Sequence, residues 1–537
     1  MVPDRAWVVV ILMTTGPPTL TVSAGARSGL AEDDQPPTDQ VRTGRLAGLR
    51  SRLPMLFPAL VTFLIGMWRI DRPSFWRDES VTVLISGQSP ADIVAYVRNT
   101  DAVHGAYYLL MHLVTELGQS ELIARLPSAL AAALTASGIA VIGRRLVSTG
   151  AGLLAGLIFA LLPVVSRYAQ EARSYSIVSA VAVLATYLVL RALATTTARA
   201  TWFAGYALSV AALGWLHLDA MLLVSAHAVV VLVHWRMAGS ARPLAWWSAA
   251  VVAATAAVLP LVAEARSQPA QVSWLRPPDS GVVGELATFV AGTTAIAVAV
   301  ALVALVGIRL RRAQGGLPGV GVVALSWLVV PFAGLVAVSV LAEPSYHPRY
   351  VLYCIPALAL LAGTGLDRLA GLAGRFGPPS SARVVSLAAL GALAVLVWPT
   401  QLAIREPGSR PDNLRALAEV LGKQSRDGDY VLYLPANRRV FMTVYADAFA
   451  RLDQTALHAP GRNALLVDDL PTADFVAALG TATRIWVVWS PPPGSRYASP
   501  IPIANHDLLG TDPRFNEAAS WWFGHTRLIL YVSDKPD

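Results

Sequence analysis

The chain has 537 residues, of which 55% are hydrophobic and 14% charged, and its mean hydropathy is +0.53. Soluble domains carry about 25% charged residues, and disorder needs low hydrophobicity with high net charge, so both descriptions are excluded for the chain as a whole. A polytopic membrane protein remains. The net charge of +8 is carried by arginine, because Lys423 and Lys535 are the only lysines. Those arginines occur in ones and twos along the chain, which fits a GC-rich genome and argues against a nucleic-acid partner. Cys354 is the only cysteine, so disulfides and thiolate metal clusters are excluded.

From the N-terminus, Arg5, Trp7–Met13 and Val22-Ser23-Ala24 resemble a short secretory signal. Cleavage there would leave the Arg42–Arg52 cluster on the wrong side of the membrane. Residues 1–52 therefore read as a cytoplasmic, partly disordered extension with a polar linker at Gly29–Thr43. Eleven apolar stretches then approach the roughly 20 residues of a spanning helix. They are Leu53–Ile70, Leu126–Ile142, Ala151–Val165, Tyr175–Leu190, Trp202–Leu218, Ala220–Trp235, Leu244–Val262, Leu286–Ile308, Val320–Leu341, Tyr350–Leu366 and Val384–Val397. Alternate loops are rich in arginine, among them Arg144, Arg145, Arg191, Arg236, Arg309 and Arg368, while the opposite loops hold most of the acids. That bias predicts a multi-pass plasma-membrane protein with a cytoplasmic N-terminus and everything after Val397 outside.

The first outside loop, Asp71 to Arg125, is long. Within it Gly105–Leu117 is apolar but too short to span, with His112, Thr115, Glu116 and Gln119 along one stripe. This predicts a helix lying on the outer membrane surface. After Val397 the composition turns soluble. Strands are expected at Tyr430–Leu434, Arg484–Trp489 and Leu528–Ser533. Helices are expected at Asn413–Arg426, Arg439–Arg451 and Thr472–Thr481, the first capped by Asp412. The expected architecture is thus a transmembrane domain over 53–400 and an extracytoplasmic α/β domain over 401–537. No glycine-rich phosphate loop follows any strand, so no nucleotide is expected.

Three clusters could carry chemistry. Asp78-Glu79 lies in the first outside loop behind aromatic Phe75 and Trp76. An acidic pair in a loop is ordinarily a solvated surface feature, but here it sits at the membrane beside further polar residues, Asp101 and His104. A carboxylate so placed can deprotonate a hydroxyl. Arg167–Tyr175 packs Arg167, Glu171 and Arg173 into one tight turn. Charges that close to hydrocarbon are costly, which implies mutual pairing, a polar cavity, or both. Tyr346-His347-Pro348-Arg349-Tyr350 precedes a late span, and an arginine there suits either interfacial anchoring or a phosphate. His217 and Asp219, in a minimal turn between two spans, are a weaker signal. Asp101, His104 and Glu171 are the residues that would converge if a divalent cation is bound.

The ordered set of motifs resembles the GT-C glycosyltransferases. The likeness is to the polyprenol-phosphate-sugar-dependent family 39 type, which includes protein O-mannosyltransferases and lipid A aminoarabinose transferases. It runs from about Leu53 to Leu366 through Asp78-Glu79, His104-Gly105-Ala106-Tyr107-Tyr108, Arg125-Leu126-Pro127-Ser128, Arg144-Arg145-Leu146, Arg167–Tyr175 and His347–Tyr350. The resemblance implies transfer of a sugar from a polyprenyl-phosphate donor to a glycan, lipid or protein acceptor at the outer face of the bilayer, with inversion. It implies Asp78, with Glu79 beside it, as the catalytic carboxylates. Glu171 and Arg173 would shape the donor site, and Arg349 and Tyr350 would hold the lipid phosphate. Asp101 and His104 would organise the loop on the acceptor side, although the family's His-Pro-Pro is here His104-Gly105-Ala106. The rival readings are a multi-span transporter and a non-catalytic envelope-assembly or binding protein. A transporter commonly shows internal repeats and broken helices, and neither is read in this sequence.

Overall fold

The computed structural model describes residues 38–268, 274–378, 380–461, 467–490 and 499–533. The signal-like stretch at Arg5–Ala24 lies outside them. Arg52–Asp537 gather into one compact unit. Among the described residues seven helices are long and apolar enough to cross a membrane, or nine if each of two bent pairs is one span. Leu53–Met67 is a shorter apolar helix, and Arg199–Leu216 is a further helix of 18 residues. Each of the eleven expected stretches therefore falls on a helix or a bent pair. The first helix starts at Thr38, inside the segment expected to be linker.

The bends are a correction to the sequence reading, which contained no broken helix. Thr149–Leu161 and Pro163–Ala169 meet at 67°, and Val282–Ala291 and Thr294–Gly307 at 92°. Pro163 has no N–H to continue the first ladder, and Leu162 leaves helical geometry at ψ 127°. In the second pair Gly292 adopts φ 83°, a left-handed conformation that glycine takes without steric cost. Thr293 then caps the next helix, its side chain accepting from the Ile296 N–H. The first bend carries Arg167 and Tyr168 into the polar turn described below.

Packing within the membrane part relies on small residues, because lipid supplies little hydrophobic drive between helices. A Cβ on Gly365 would stand 1.8 Å from the Val303 carbonyl oxygen, and one on Gly307 would stand 2.0 Å from that of Leu361. Thr294–Gly307 and Ile355–Phe376 thus touch backbone to backbone. The first helix ends by handing its carbonyls to side chains. Arg405 donates to Ile65 O (2.7 Å) and Trp68 O (2.9 Å), and Gln170 donates to Gly66 O (2.9 Å) and Trp68 O (2.8 Å). These carbonyls have no intrahelical partner.

The first long loop folds into helices Arg77–Ser86, Pro90–Val97 and Gly105–Thr115 around Phe75, Val83, Ile93, Tyr107, Tyr108 and Met111. Gly105–Thr115 turns His112 and Thr115 onto the Ser86 carbonyl (2.9 and 3.0 Å) and leaves Leu109, Leu110 and Leu113 exposed. An outward apolar face is what a helix resting on a bilayer needs. The expected polar stripe is cut short, since the helix ends before Gln119.

The C-terminal part is a small α/β domain, as expected. Its sheet runs in the order β1 (Tyr430–Leu434), β4 (Arg484–Trp489), β6 (Thr526–Ser533), β5 (Phe515–Phe523), with only the β1–β4 pairing parallel. Two short strands, β2 (His458–Pro460) and β3 (Val467–Asp469), pair separately. Alternate side chains of β1 enter opposite cores. Val431 and Tyr433 meet the helix Leu414–Gln424, while Leu432 and Leu434 lie in the core of Phe475 and Leu509. Two expectations fail here. The cap of Leu414–Gln424 is Asn413, because Asp412 is drawn to Arg77. The helix expected at Arg439–Arg451 is α-helical only to Met442 and continues as 3-10 turns. Strand β5 and helix Ile501–Thr511 were not expected at all.

The domain is docked on the first loop. Arg77 donates to Asp412 at 2.9 and 3.4 Å, Tyr445 donates to Glu121 at 2.8 Å and accepts from the Phe75 N–H at 3.2 Å, and Arg415 pairs with Glu121. Asp412→Ala leaves Arg77 and the Thr526 hydroxyl without their acceptor. It is expected to cost about 1–3 kcal/mol, read as a lowered unfolding temperature in detergent, with the transmembrane helicity intact.

Candidate active site

Three consecutive residues at the start of helix Arg77–Ser86 point to three partners. A helix turns about 100° per residue, so Arg77, Asp78 and Glu79 face different parts of the protein. Arg77 reaches Asp412. Asp78 meets Arg349, with Oδ2 3.3 Å from Nη1. Glu79 meets Arg125.

The Glu79–Arg125 pair is fully buried on both sides. Arg125 donates Nε and Nη2 to the two carboxylate oxygens, each at 2.7 Å, and gives its remaining donors to the carbonyls of Ile70, Pro73 and Ser74. Glu79 also accepts from the Ala172 N–H at 2.8 Å. Burial by itself would push the Glu79 carboxyl up, but Arg125 holds it below its ordinary value. Glu79 was expected as a second catalytic carboxylate. Both its oxygens are committed and out of reach of a substrate, so it positions the turn that presents Asp78.

Arg349 sits in a cage of rings. Its guanidinium carbon is 5.2 Å from the centroid of Trp274, 5.5 Å from Tyr350 and 5.9 Å from Trp76. Aromatic faces stabilise a cation without using up its hydrogen-bond donors. His347 caps the following 3-10 turn, its Nδ1 accepting from the Arg349 N–H at 3.3 Å. The expected neighbours Arg349 and Tyr350 are therefore brought to Asp78 from the far end of the transmembrane domain.

Arg173 stands on the other side. It bonds His104 Nε2 and the Thr82 hydroxyl, while His104 Nδ1 is 2.7 Å from Asp101 Oδ1. Tyr108 donates to the other Asp101 oxygen. Burial would lower the Arg173 guanidinium, but Asp78, then Tyr175, Tyr108 and Asp101, hold it well above its ordinary value. Burial would likewise raise Asp101, and His104 and Arg173 hold it down. Asp101, His104 and Arg173 thus form one line of paired groups leading to Asp78.

Glu171 does not join that line. It pairs with Arg167 at 2.9 Å, and burial leaves its carboxyl raised. Asp101, His104 and Glu171 do not assemble as a ligand set, and both nitrogens of His104 already have partners. Among the described residues no group of three His, Cys, Asp or Glu side chains is placed to hold a metal ion. Trp76 was noted in the sequence beside the acidic pair, but Trp274, the other cage wall, and buried Arg410, which donates to Gln170 O at 2.9 Å, were not. Only tertiary proximity marks them.

Comparison with known proteins bears on the fold. Residues 105–262 match the family described as dolichyl-phosphate-mannose-protein mannosyltransferase. The structure is similar to that of ArnT from Cupriavidus metallidurans bound to undecaprenyl phosphate, with TM-score 0.59 and 17% identity over 90% of this chain and 99% of that one. The apo state of the same protein gives 0.56 and 15%, over 90% and 98%. The oligosaccharyltransferase AglB from Archaeoglobus fulgidus is more distant, at 0.49 and 9%, over 81% and 69%. No curated protein sequence gives a significant match. The chain is a multi-pass membrane protein with the GT-C glycosyltransferase fold. The fold class expected from its motifs is borne out.

Removing one partner of a buried ion pair typically costs about 3–5 kcal/mol. Glu79→Gln is therefore expected to yield protein that unfolds far below the wild-type temperature, whereas Asp78→Asn, at a part-exposed carboxylate, shifts it little. The folded carboxyl of Glu79 lies below its ordinary 4.5, so its contribution is present above that pH and is lost as pH falls further. Thermal unfolding as a function of pH checks the sign.

Proposed function

We propose that this protein transfers a sugar from a polyprenyl-phosphate carrier to a hydroxyl acceptor at the outer face of the plasma membrane, with Asp78 as general base. The observation that carries the reading is the Asp78–Arg349 pair, held where the first loop meets a late span. Close by, Phe159, Val164, Tyr168, Tyr175, Leu352 and Ile355 line a narrow apolar crevice of about 20 Å³. The caged arginine suits the phosphate.

In the proposed reaction Asp78 takes the proton of the acceptor hydroxyl. The acceptor oxygen attacks the anomeric carbon as the bond from that carbon to the phosphate oxygen breaks. Polyprenyl phosphate leaves with the electron pair, and Arg349 and Arg173 stabilise the charge that develops on it. One displacement at one carbon inverts its configuration. Asp101 and His104 fix Arg173 in place, and Tyr350 flanks the cation. Undecaprenyl phosphate bound to ArnT is a carrier of the proposed chemistry. The loop arginines orient the N-terminus to the cytoplasm, which puts the site and the C-terminal domain outside. That domain roofs the first loop and is proposed to position the acceptor, a glycan, lipid or protein.

Sugar transfer by the full-length protein in liposomes, with labelled undecaprenyl-phosphate sugars and a cell-envelope extract as acceptor, tests the proposal. Asp78→Asn should lower turnover on the order of 10²–10⁴-fold in protein that remains folded; unchanged turnover would remove Asp78 as base. Arg349→Ala should raise the KM for the donor roughly 10-fold or more, a larger rise than in the KM for the acceptor. Equal effects on both would count against a phosphate role.

A further inference from the structure

A second cavity, of about 200 Å³, opens beside the Asp78–Arg349 pair, and its polar lining comprises His104, His217, Asp219, Gln268, Ser345 and Tyr350. Two of these residues tie it to the reacting centre. The Tyr350 ring lies 5.5 Å from the Arg349 guanidinium, and His104 bonds Arg173.

Most of the polar lining is already engaged. Gln268 accepts from the Ala102 N–H at 3.0 Å and donates to Val97 O at 2.9 Å; Ser345 donates to Glu343 O at 2.8 Å. His104 is held by Asp101 and Arg173. His217 and Asp219 are different. The His217 side chain is 10% exposed, gripped between the rings of Tyr175 and Tyr350 at 5.7 and 5.1 Å. Its Nδ1 is buried and has no hydrogen-bond partner. The nearest candidate, Asp219 Oδ2, is 3.9 Å away, too far for a hydrogen bond. Asp219 meets the rest of the fold through its backbone, where its carbonyl accepts from the Tyr353 hydroxyl at 3.1 Å. A buried polar atom left without a partner costs free energy, so His217 Nδ1, beside the part-exposed Asp219 carboxylate at the cavity wall, points to a ligand that completes it.

Resting on the reading above, we infer that the His217–Asp219 pair reads the sugar head of the donor. The carboxylate accepts from sugar hydroxyls while the imidazole completes the hydrogen-bonding on the same face. Tyr350 separates this subsite from Arg349, so sugar and phosphate are recognised by different groups. Among the described residues no arginine or lysine lines the cavity and one carboxylate does, so the subsite accepts neutral, hydroxyl-bearing sugars and rejects uronic acids.

The test separates sugar recognition from phosphate recognition. Full-length protein in liposomes is given undecaprenyl-phosphate mannose, glucose, galactose, arabinofuranose or glucuronate, with bare undecaprenyl phosphate as competitor. Asp219→Asn and His217→Gln are each expected to raise donor KM roughly 10-fold and to leave the Ki of the bare lipid phosphate unchanged. The glucuronate carrier should be the poorest donor for the wild type. If KM does not move, or if KM and Ki rise together, the assignment is overturned while the transferase reading stands. If the wild type transfers none of these sugars, the transferase reading falls and takes the assignment with it. The two variants touch different side chains, so failure of one to fold leaves the other to decide.

Discussion

The buried pair of Glu79 and Arg125 is the constraint on which the rest of the site depends. It ties the first turn of a loop helix to the start of a transmembrane helix, and through the Ala172 amide it ties both to the polar turn after the third span. A buried ion pair stabilises only when its remaining donors and acceptors are satisfied. Here Arg125 also holds three carbonyls of the chain leading into the loop. With that turn fixed, the next residues along the helix have no freedom in where they point. Arg77 faces the C-terminal domain and Asp78 faces Arg349.

The same economy appears wherever charge approaches hydrocarbon. Arg405 and Gln170 close the carbonyl end of the first helix, Arg167 pairs with Glu171, and Arg349 is surrounded by rings instead of carboxylates alone. Ring faces leave guanidinium donors available, and a phosphate needs those donors. Asp101, His104 and Arg173 form a second line of paired groups. His217 Nδ1, buried without a hydrogen-bond partner, belongs to a residue that lines a cavity a ligand can enter.

Much of the architecture was legible beforehand because period and composition report it directly. Each expected apolar stretch lies on a helix or bent pair, and Tyr430–Leu434 and Arg484–Trp489 carry the continuous apolar runs of strands buried on both faces. Strand β5 escaped notice because it is an edge strand whose Asn516, Glu517 and Ser520 read as polar loop; pairing with β6 makes it a strand. The 3-10 path after Met442 follows from Tyr445 being held by Phe75 and Glu121, residues more than 300 positions away. Asp412 has the composition of a helix cap, and a nearby arginine from the first loop recruits it instead.

The sequence by itself determined the membrane class, the order of the spans, the soluble C-terminal domain and the residues from which a site would be built, because hydropathy, charge bias and motif order are local properties. It could not say which charges would meet. Asp78 and Arg349 are 271 positions apart, and neighbouring Glu79 is equally acidic on paper. Only the tertiary structure separated the two carboxylates, by burying Glu79 against Arg125 and leaving Asp78 part-exposed beside a caged cation. The physical reason is that a helix sends adjacent side chains in different directions, and what waits in each direction is set by distant chain.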